Sequence, residues 1–170
     1  MISKSFDILT PLAKIHRISR KISDMDEFNI SPGYWVDKDA FTGDIIEIKD
    51  STTSLNLPAL CLSAYSSSDS FFYDGLSAYT SHDTKLGRIT VVEEPGIRCH
   101  FGLDYFIGII PNVGQKLTIV YGDTINLENN GKMKVLPSDP GTYTIIGRCT
   151  SKDGDLIEVS TLEPYEVVVS

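Results

Sequence analysis

The residues of this chain with the chemistry to act as catalysts or metal ligands are few and far apart. They are three histidines (His16, His82, His100), three cysteines (Cys61, Cys99, Cys149) and a scatter of acidic turns. A Ser-His-Asp or Cys-His system must take one of the histidines as its base. His16 lies in a basic N-terminal stretch and His82-Asp83 in a polar loop, and neither setting holds a base in one orientation. His100, beside Cys99 and a few residues before Asp104, is better placed, yet no Gly-x-Ser-x-Gly elbow or Gly-Asp-Ser-Gly sequence accompanies it. It reads as a strand histidine satisfied by a neighbour. Structural zinc needs about four ligands at close spacing, whereas Cys99-His100 is a lone adjacent pair whose side chains leave a strand on opposite faces. An odd cysteine count without a Cys-x-x-Cys pair indicates reduced thiols packed as small hydrophobes. Asp123 and Asp153-Gly154-Asp155 offer the paired carboxylates of a glycosidase, but Asp153-Gly154 is explained more simply as a hairpin turn. Asp37, Lys38, Asp39 and Asp44 lack the spacing of a calcium loop, and no glycine-rich phosphate loop occurs. The reading is a protein without catalytic residues, metal ligands or cofactor.

The elements that carry these residues have the texture of an antiparallel sheet. Gly114–Val120, Gly131–Val135, Tyr143–Gly147 and Leu156–Val159 are short runs with period-2 alternation, punctuated by Gly, Asn, Asp and Pro. Upstream, Tyr34-Trp35-Val36, Ile45–Ile48, Arg88–Val92, Ile97–Phe101 and Tyr105–Ile110 read as further strands. Asp37–Asp39 and Thr42–Asp44 read as turns, and Glu93-Glu94-Pro95-Gly96 as the turn of a hairpin. Trp35, the single tryptophan, is expected as a core anchor. The fold class is therefore all-β: an antiparallel barrel or sandwich with an extended or partly helical N-terminal arm. Its domains divide as an arm at 1–30 and a β-domain at 31–170, with a long Ser/Tyr-rich excursion at about 50–85. At 170 residues and 18.8 kDa, with 41 % hydrophobic and 22 % charged residues, the chain has enough mass for one packed domain. Its apolar runs are too short to span a bilayer. The N-terminus lacks the pattern of a signal peptide, so synthesis in a cytoplasm is expected.

Charge is distributed unevenly. Lys4, Lys14, Arg17, Arg20 and Lys21 against Asp7 put residues 1–21 at +4, which leaves the other residues at −12 out of a net −8. A body that acidic repels phosphate backbones, and the arm has no aromatic stacking platform, so neither nucleic acid nor membrane is an expected partner. Ile8, Leu12, Ile15, Ile18 and Ile22 sit three and four apart. They form a stripe with no obvious partner in so small a fold, and the arm is expected to order on binding. The candidate binding residues are thus Ile8, Leu12, Ile15, Arg17, Ile18, Arg20, Lys21 and Ile22, with Thr10 and Pro11 placed to open a helix. A second candidate is the aromatic set of the excursion, Tyr65, Phe71, Phe72, Tyr73 and Tyr79.

The series Val113–Ile119, Asn130-Gly131-Lys132-Met133, Ile145–Cys149 and Val159–Pro164 resembles the capsid decoration proteins of tailed bacteriophages. In that family a Gly-x-x-Leu-x-Val strand precedes an Asp/Asn-Gly-x-Leu turn, an Ile-Gly-x-Ala/Cys strand and a terminal strand. Gly87–Val92 and Pro95-Gly96 also fit the pattern, so the likeness covers about half the chain, from Gly87 onward. It implies a structural, non-enzymatic virion protein on the exterior of an icosahedral head that stabilises the capsid lattice. The implied partners are the major capsid protein and further copies of the chain in a symmetric homo-oligomer. The alternative expectation is a virion accessory or fibre-associated module whose 64–80 loop contacts a host glycan or protein.

Overall fold

The structure, a computed structural model, describes residues 6–22, 29–46, 48, 55, 57–62, 65–66 and 87–170. It is all-β, with three single turns of 3-10 helix among the described residues. The strands are β1 (Phe6–Ile8), β2 (Ile18–Lys21), β3 (Asn29–Ile30), β4 (Trp35–Lys38), β5 (Ile45–Ile46), β6 (Ala59–Cys61), β7 (Tyr65–Ser66), β8 (Arg88–Val92), β9 (Arg98–Gly102), β10 (Lys116–Ile119), β11 (Met133–Val135), β12 (Gly141–Asp153) and β13 (Leu156–Val169). Sheet A has the order β1-β9-β13-β12-β10-β11 and sheet B the order β2-β8-β6-β4-β5, with every strand pair antiparallel. A separate two-stranded ladder joins β3 to β7.

Alternation builds the core. Cys99 and Phe101 of β9, Ile157 and Val159 of β13, Cys149 of β12 and Leu117 and Ile119 of β10 point inward from sheet A. They meet Trp35, Leu60 and Val92, three residues that stand in one register line across β4, β6 and β8 of sheet B. The intervening residues of sheet B, Val36, Ala59, Cys61, Ile89 and Val91, are also buried and form a second cluster with Ile22 and Ile45. The central strands β4, β6 and β8 of sheet B are consequently buried on both faces, and β6 reads as a continuous apolar run. Each isoleucine or valine removed from water in these clusters contributes about 1.5–3 kcal/mol.

The long β12–β13 hairpin turns at Gly154-Asp155, one residue beyond the expected Asp153-Gly154, because Asp153 still pairs with Leu156; Gly154 adopts φ 59°. Leu156–Val159 had marked only the start of β13, and Tyr143–Gly147 the middle of β12. Beyond the core both strands continue as a ribbon in which Thr142 pairs with Val168 and Tyr143 with Val167. Register shifts at Ile145/Gly147 and Cys149/Ser151 bend it.

Four local expectations give way to tertiary demands. Asp37 and Lys38 are strand residues, both buried, and not a turn. Asp37 Oδ1 accepts the Leu57 amide at 2.8 Å, and Lys38 pairs with Glu93. The segment Arg88–Phe101 is not a hairpin either: β8 lies in sheet B and β9 in sheet A, so Glu93–Gly96 is a corner between sheets. Thr161 holds that corner, accepting the Ile97 amide on Oγ1 at 2.9 Å and the Gly96 amide on its carbonyl at 2.8 Å, while its hydroxyl donates to the Glu94 carbonyl at 3.0 Å. Tyr105–Ile110 is not a strand. It follows a 3-10 turn at Leu103–Tyr105, touches β11 at the Phe106–Met133 bridge, and leaves Ile109 and Ile110 exposed.

The fourth change concerns the arm. Of its described residues, 6–22 are built into the domain: β1 extends sheet A beside β9 and β2 extends sheet B beside β8. No long helix forms. A 3-10 turn covers Leu12–Lys14, and the Thr10 hydroxyl accepts the Arg98 amide at 2.8 Å instead of capping a helix. Ile15 packs into the core between the sheets and Ile22 into the second cluster, so these two have partners within the fold.

Candidate interaction surface

On the outer face of sheet A the register alone defines which side chains stand together. Because Cys99, Phe101, Ile157, Val159, Cys149 and Leu117 point inward, the residues between them point out. Arg98 pairs with Ser160, Ser160 with Arg148 and Arg148 with Lys116, which lays Arg98, Ser160, Arg148 and Lys116 in one line across β9, β13, β12 and β10. Two residues along, about 7 Å away, Asp7 pairs with His100 and His100 with Glu158, giving an acidic line across β1, β9 and β13. A basic row thus runs beside an acidic row.

Within the face, Arg98 Nη1 lies 3.7 Å from Glu158 Oε1, and the Thr150 hydroxyl donates to Glu158 Oε2. Farther along the ribbon Lys116 Nζ stands 5.5 Å from the Tyr165 ring centroid, and Lys134 Nζ 5.8 Å from that of Tyr143. Such contacts are worth about 0.5–1 kcal/mol at exposed sites and hold the lysines extended over the sheet.

The residues singled out for chemistry are dispersed. His100 lies on this outer face, and its neighbour Cys99 is in the core. Burial pushes the Cys99 thiol up to about 12, with the Asp7 carboxylate adding to the effect, so it is a neutral thiol at physiological pH. Cys61, Cys99 and Cys149 are all buried and form no disulfide, as their number and spacing implied. Among the described residues no three His, Cys, Asp or Glu side chains converge as metal ligands. Asp123 serves its own loop: Oδ1 accepts the amides of Ile125 and Asn126 and Oδ2 accepts Asn129 Nδ2, and the Asn126 amide leads the contacts that hold its carboxyl below the usual range. Asp39 caps the β4–β5 turn through the amides of Phe41 and Thr42.

The arm residues divide by role. Ile15 and Ile22 are interior, Ile8 and Ile18 half-buried, and Leu12 lies in the 3-10 turn. Arg20 makes a two-pronged bond to Glu93, Nε to Oε1 at 2.9 Å and Nη2 to Oε2 at 3.0 Å, and Lys38 Nζ reaches the same carboxylate at 2.8 Å. Lys14, Arg17 and Lys21 remain on the surface. Of the aromatic set in the excursion, Tyr65 begins β7, and Phe71, Phe72, Tyr73 and Tyr79 lie outside the described residues. The 64–80 loop likewise falls outside them apart from β7.

The paired rows on sheet A escaped the sequence reading because each cation sits on a different strand. Only the register brings them together. Compared with protein families, with curated proteins and with solved structures, the chain matches none.

Proposed function

We propose that this protein is a structural subunit that decorates the outside of an icosahedral phage head and stabilises its lattice. The observation that carries the reading is where the resemblance-bearing segments lie. Val113–Ile119 leads into β10, Asn130–Met133 into β11, Ile145–Cys149 is the centre of β12 and Val159–Pro164 lies within β13. These four strands are neighbours in the order β13-β12-β10-β11, so the pattern corresponds to one continuous block of sheet and not to scattered turns. The block is rigid, since its inner face is buried against sheet B. A rigid sheet presenting fixed side chains suits a role in which many weak, symmetric contacts add up across a lattice.

In this reading the exposed cations Lys14, Arg17 and Lys21 face an acidic patch of the shell, and the buried isoleucines of the same segment hold them in place. The test is to add purified protein to phage heads that lack it and count copies per particle by electron microscopy. Regular, saturable density on the shell is expected. Density confined to the tail or vertices, or none at saturating protein, overturns the reading.

A further inference from the structure

We infer that the outer face of sheet A is a self-complementary interface that pairs two copies of this chain face to face. The argument starts from the order of charges. One row holds Arg98, Ser160, Arg148 and Lys116 on consecutive strands, and the next holds Asp7, His100 and Glu158. A two-fold axis lying in the interface, parallel to these rows and midway between them, reverses the strand direction and leaves the strand position unchanged. It therefore sets the basic row of each copy over the acidic row of the other. Glu158 on β13 then meets Ser160 of the second copy, flanked one strand to either side by that copy's Arg98 and Arg148. Asp7 on β1 falls one strand from Arg98. Because the operation is a two-fold, every contact occurs twice and the assembly closes as a dimer.

Charge complementarity singles out a second copy as the occupant. A uniformly acidic partner would satisfy the basic row but set like charge against Asp7 and Glu158, and a nucleic acid would do the same with every phosphate. Only a surface with both rows in the reverse order meets both, and the chain itself supplies one. Arg98 has capacity to spare: its side chain is 55 % exposed, and its contact with its own Glu158, whose side chain is 15 % exposed, is long, at 3.7 Å. Aligned face-to-face packing of sheets is a standard geometry for twisted β-structure. The inference deepens the self-association expected of a lattice-binding subunit, but it concerns the free protein and is tested without particles.

Sedimentation at roughly 100 µM protein is expected to show a dimer that weakens as salt rises. Two reversed chains make the test specific. The variant Arg98→Glu/Arg148→Glu carries two acidic rows, and the variant Asp7→Lys/Glu158→Lys carries two basic rows. Each alone is expected to dissociate at least about tenfold more readily than the parent chain. Mixed in equal amounts, they oppose unlike rows throughout and are expected to form a heterodimer within about threefold of the parent affinity. Circular dichroism confirms the fold of each variant, and the single exposed substitution Arg148→Glu stands in for any double variant that does not fold. A parent chain that is monomeric at that concentration overturns the inference. So does a reversed chain that dimerises as the parent does, or a mixture of folded variants that stays monomeric.

Discussion

The two ends of the chain are both made of strands, the C-terminal ones in sheet A and the N-terminal ones divided between sheets A and B, but they are held in different ways. The C-terminal region is assembled from neighbours: β12 and β13 are joined by a two-residue turn, and β10 and β11 flank them within a few tens of residues. The N-terminal region is assembled from distant partners: β1 pairs with β9 and β2 with β8, about 70 to 95 positions away. Hairpin pairing needs only local closure, whereas the N-terminal strands gain partners only once the sandwich exists. In return this segment adds Ile15 to the core between the sheets and Ile22 to the cluster on the other face of sheet B. One end is thus legible from local sequence, while the other is defined by partners far away in the chain.

Removing residues 1–22 is the strongest way to break this contrast. It takes out two edge strands and two buried isoleucines, each of which costs about 2–5 kcal/mol when truncated to alanine. The shortened chain is expected to lose cooperative thermal unfolding, monitored by circular dichroism. A truncated chain that melts like the parent would show that the segment is merely attached.

Trp35→Ala comes next, at about 3–5 kcal/mol. Trp35 packs between the sheets with its Nε1 unpartnered among the described residues, and its own amide donates to the Gly131 carbonyl at 2.8 Å. Its emission is expected at the short wavelengths of a buried indole, and a spectrum typical of a solvated indole would contradict its place in the core.

Glu93→Gln probes the clasp that fastens the N-terminal end, since Glu93 joins Arg20 of β2 to Lys38 of β4. The expected loss at neutral pH is about 1–3 kcal/mol. Burial pushes the Glu93 carboxyl up, and the hydrogen bonds from Arg20 and Lys38 outweigh it, so the net shift is below the usual glutamate value of 4.5. A depressed folded-state pKa means that the stabilisation is complete above the unfolded value and disappears as pH falls through the folded one. The difference in urea midpoint between parent and Glu93→Gln should therefore shrink below about pH 4.5. A gap that stays constant down to pH 3 would remove Glu93 from this role.

The smallest effect is expected at the far end of the ribbon. Val168 is exposed beyond the packed core, so Val168→Ala should change stability by no more than about 0.5 kcal/mol in the same urea titration. A loss comparable to that of Ile22→Ala would mean that the ribbon is part of the cooperative unit.

What the sequence by itself determined is what nearest neighbours dictate. The alternation and turn residues of 114–170 place β10 to β13, the turn around Gly154 sets the long hairpin, and the odd, scattered cysteines mark buried thiols outside any disulfide. Tertiary structure alone decided the rest. Asp37 and Lys38 have turn-forming residue types yet are buried in a strand, because Leu57 and Glu93 supply partners that local propensity does not register. Glu93–Gly96 has the composition of a hairpin turn yet joins two sheets, because the carbonyl and hydroxyl of Thr161, 65 and 64 residues away from Gly96 and Ile97, take those two amides. The isoleucines at 15 and 22 have helical spacing yet enter two different clusters, since burial in a finished sandwich outweighs the marginal stability of a short isolated helix. The charged rows of sheet A follow the same rule: the sequence places each residue on its strand, and only the register of four strands, fixed by the packing beneath them, aligns Arg98, Arg148 and Lys116 into a surface.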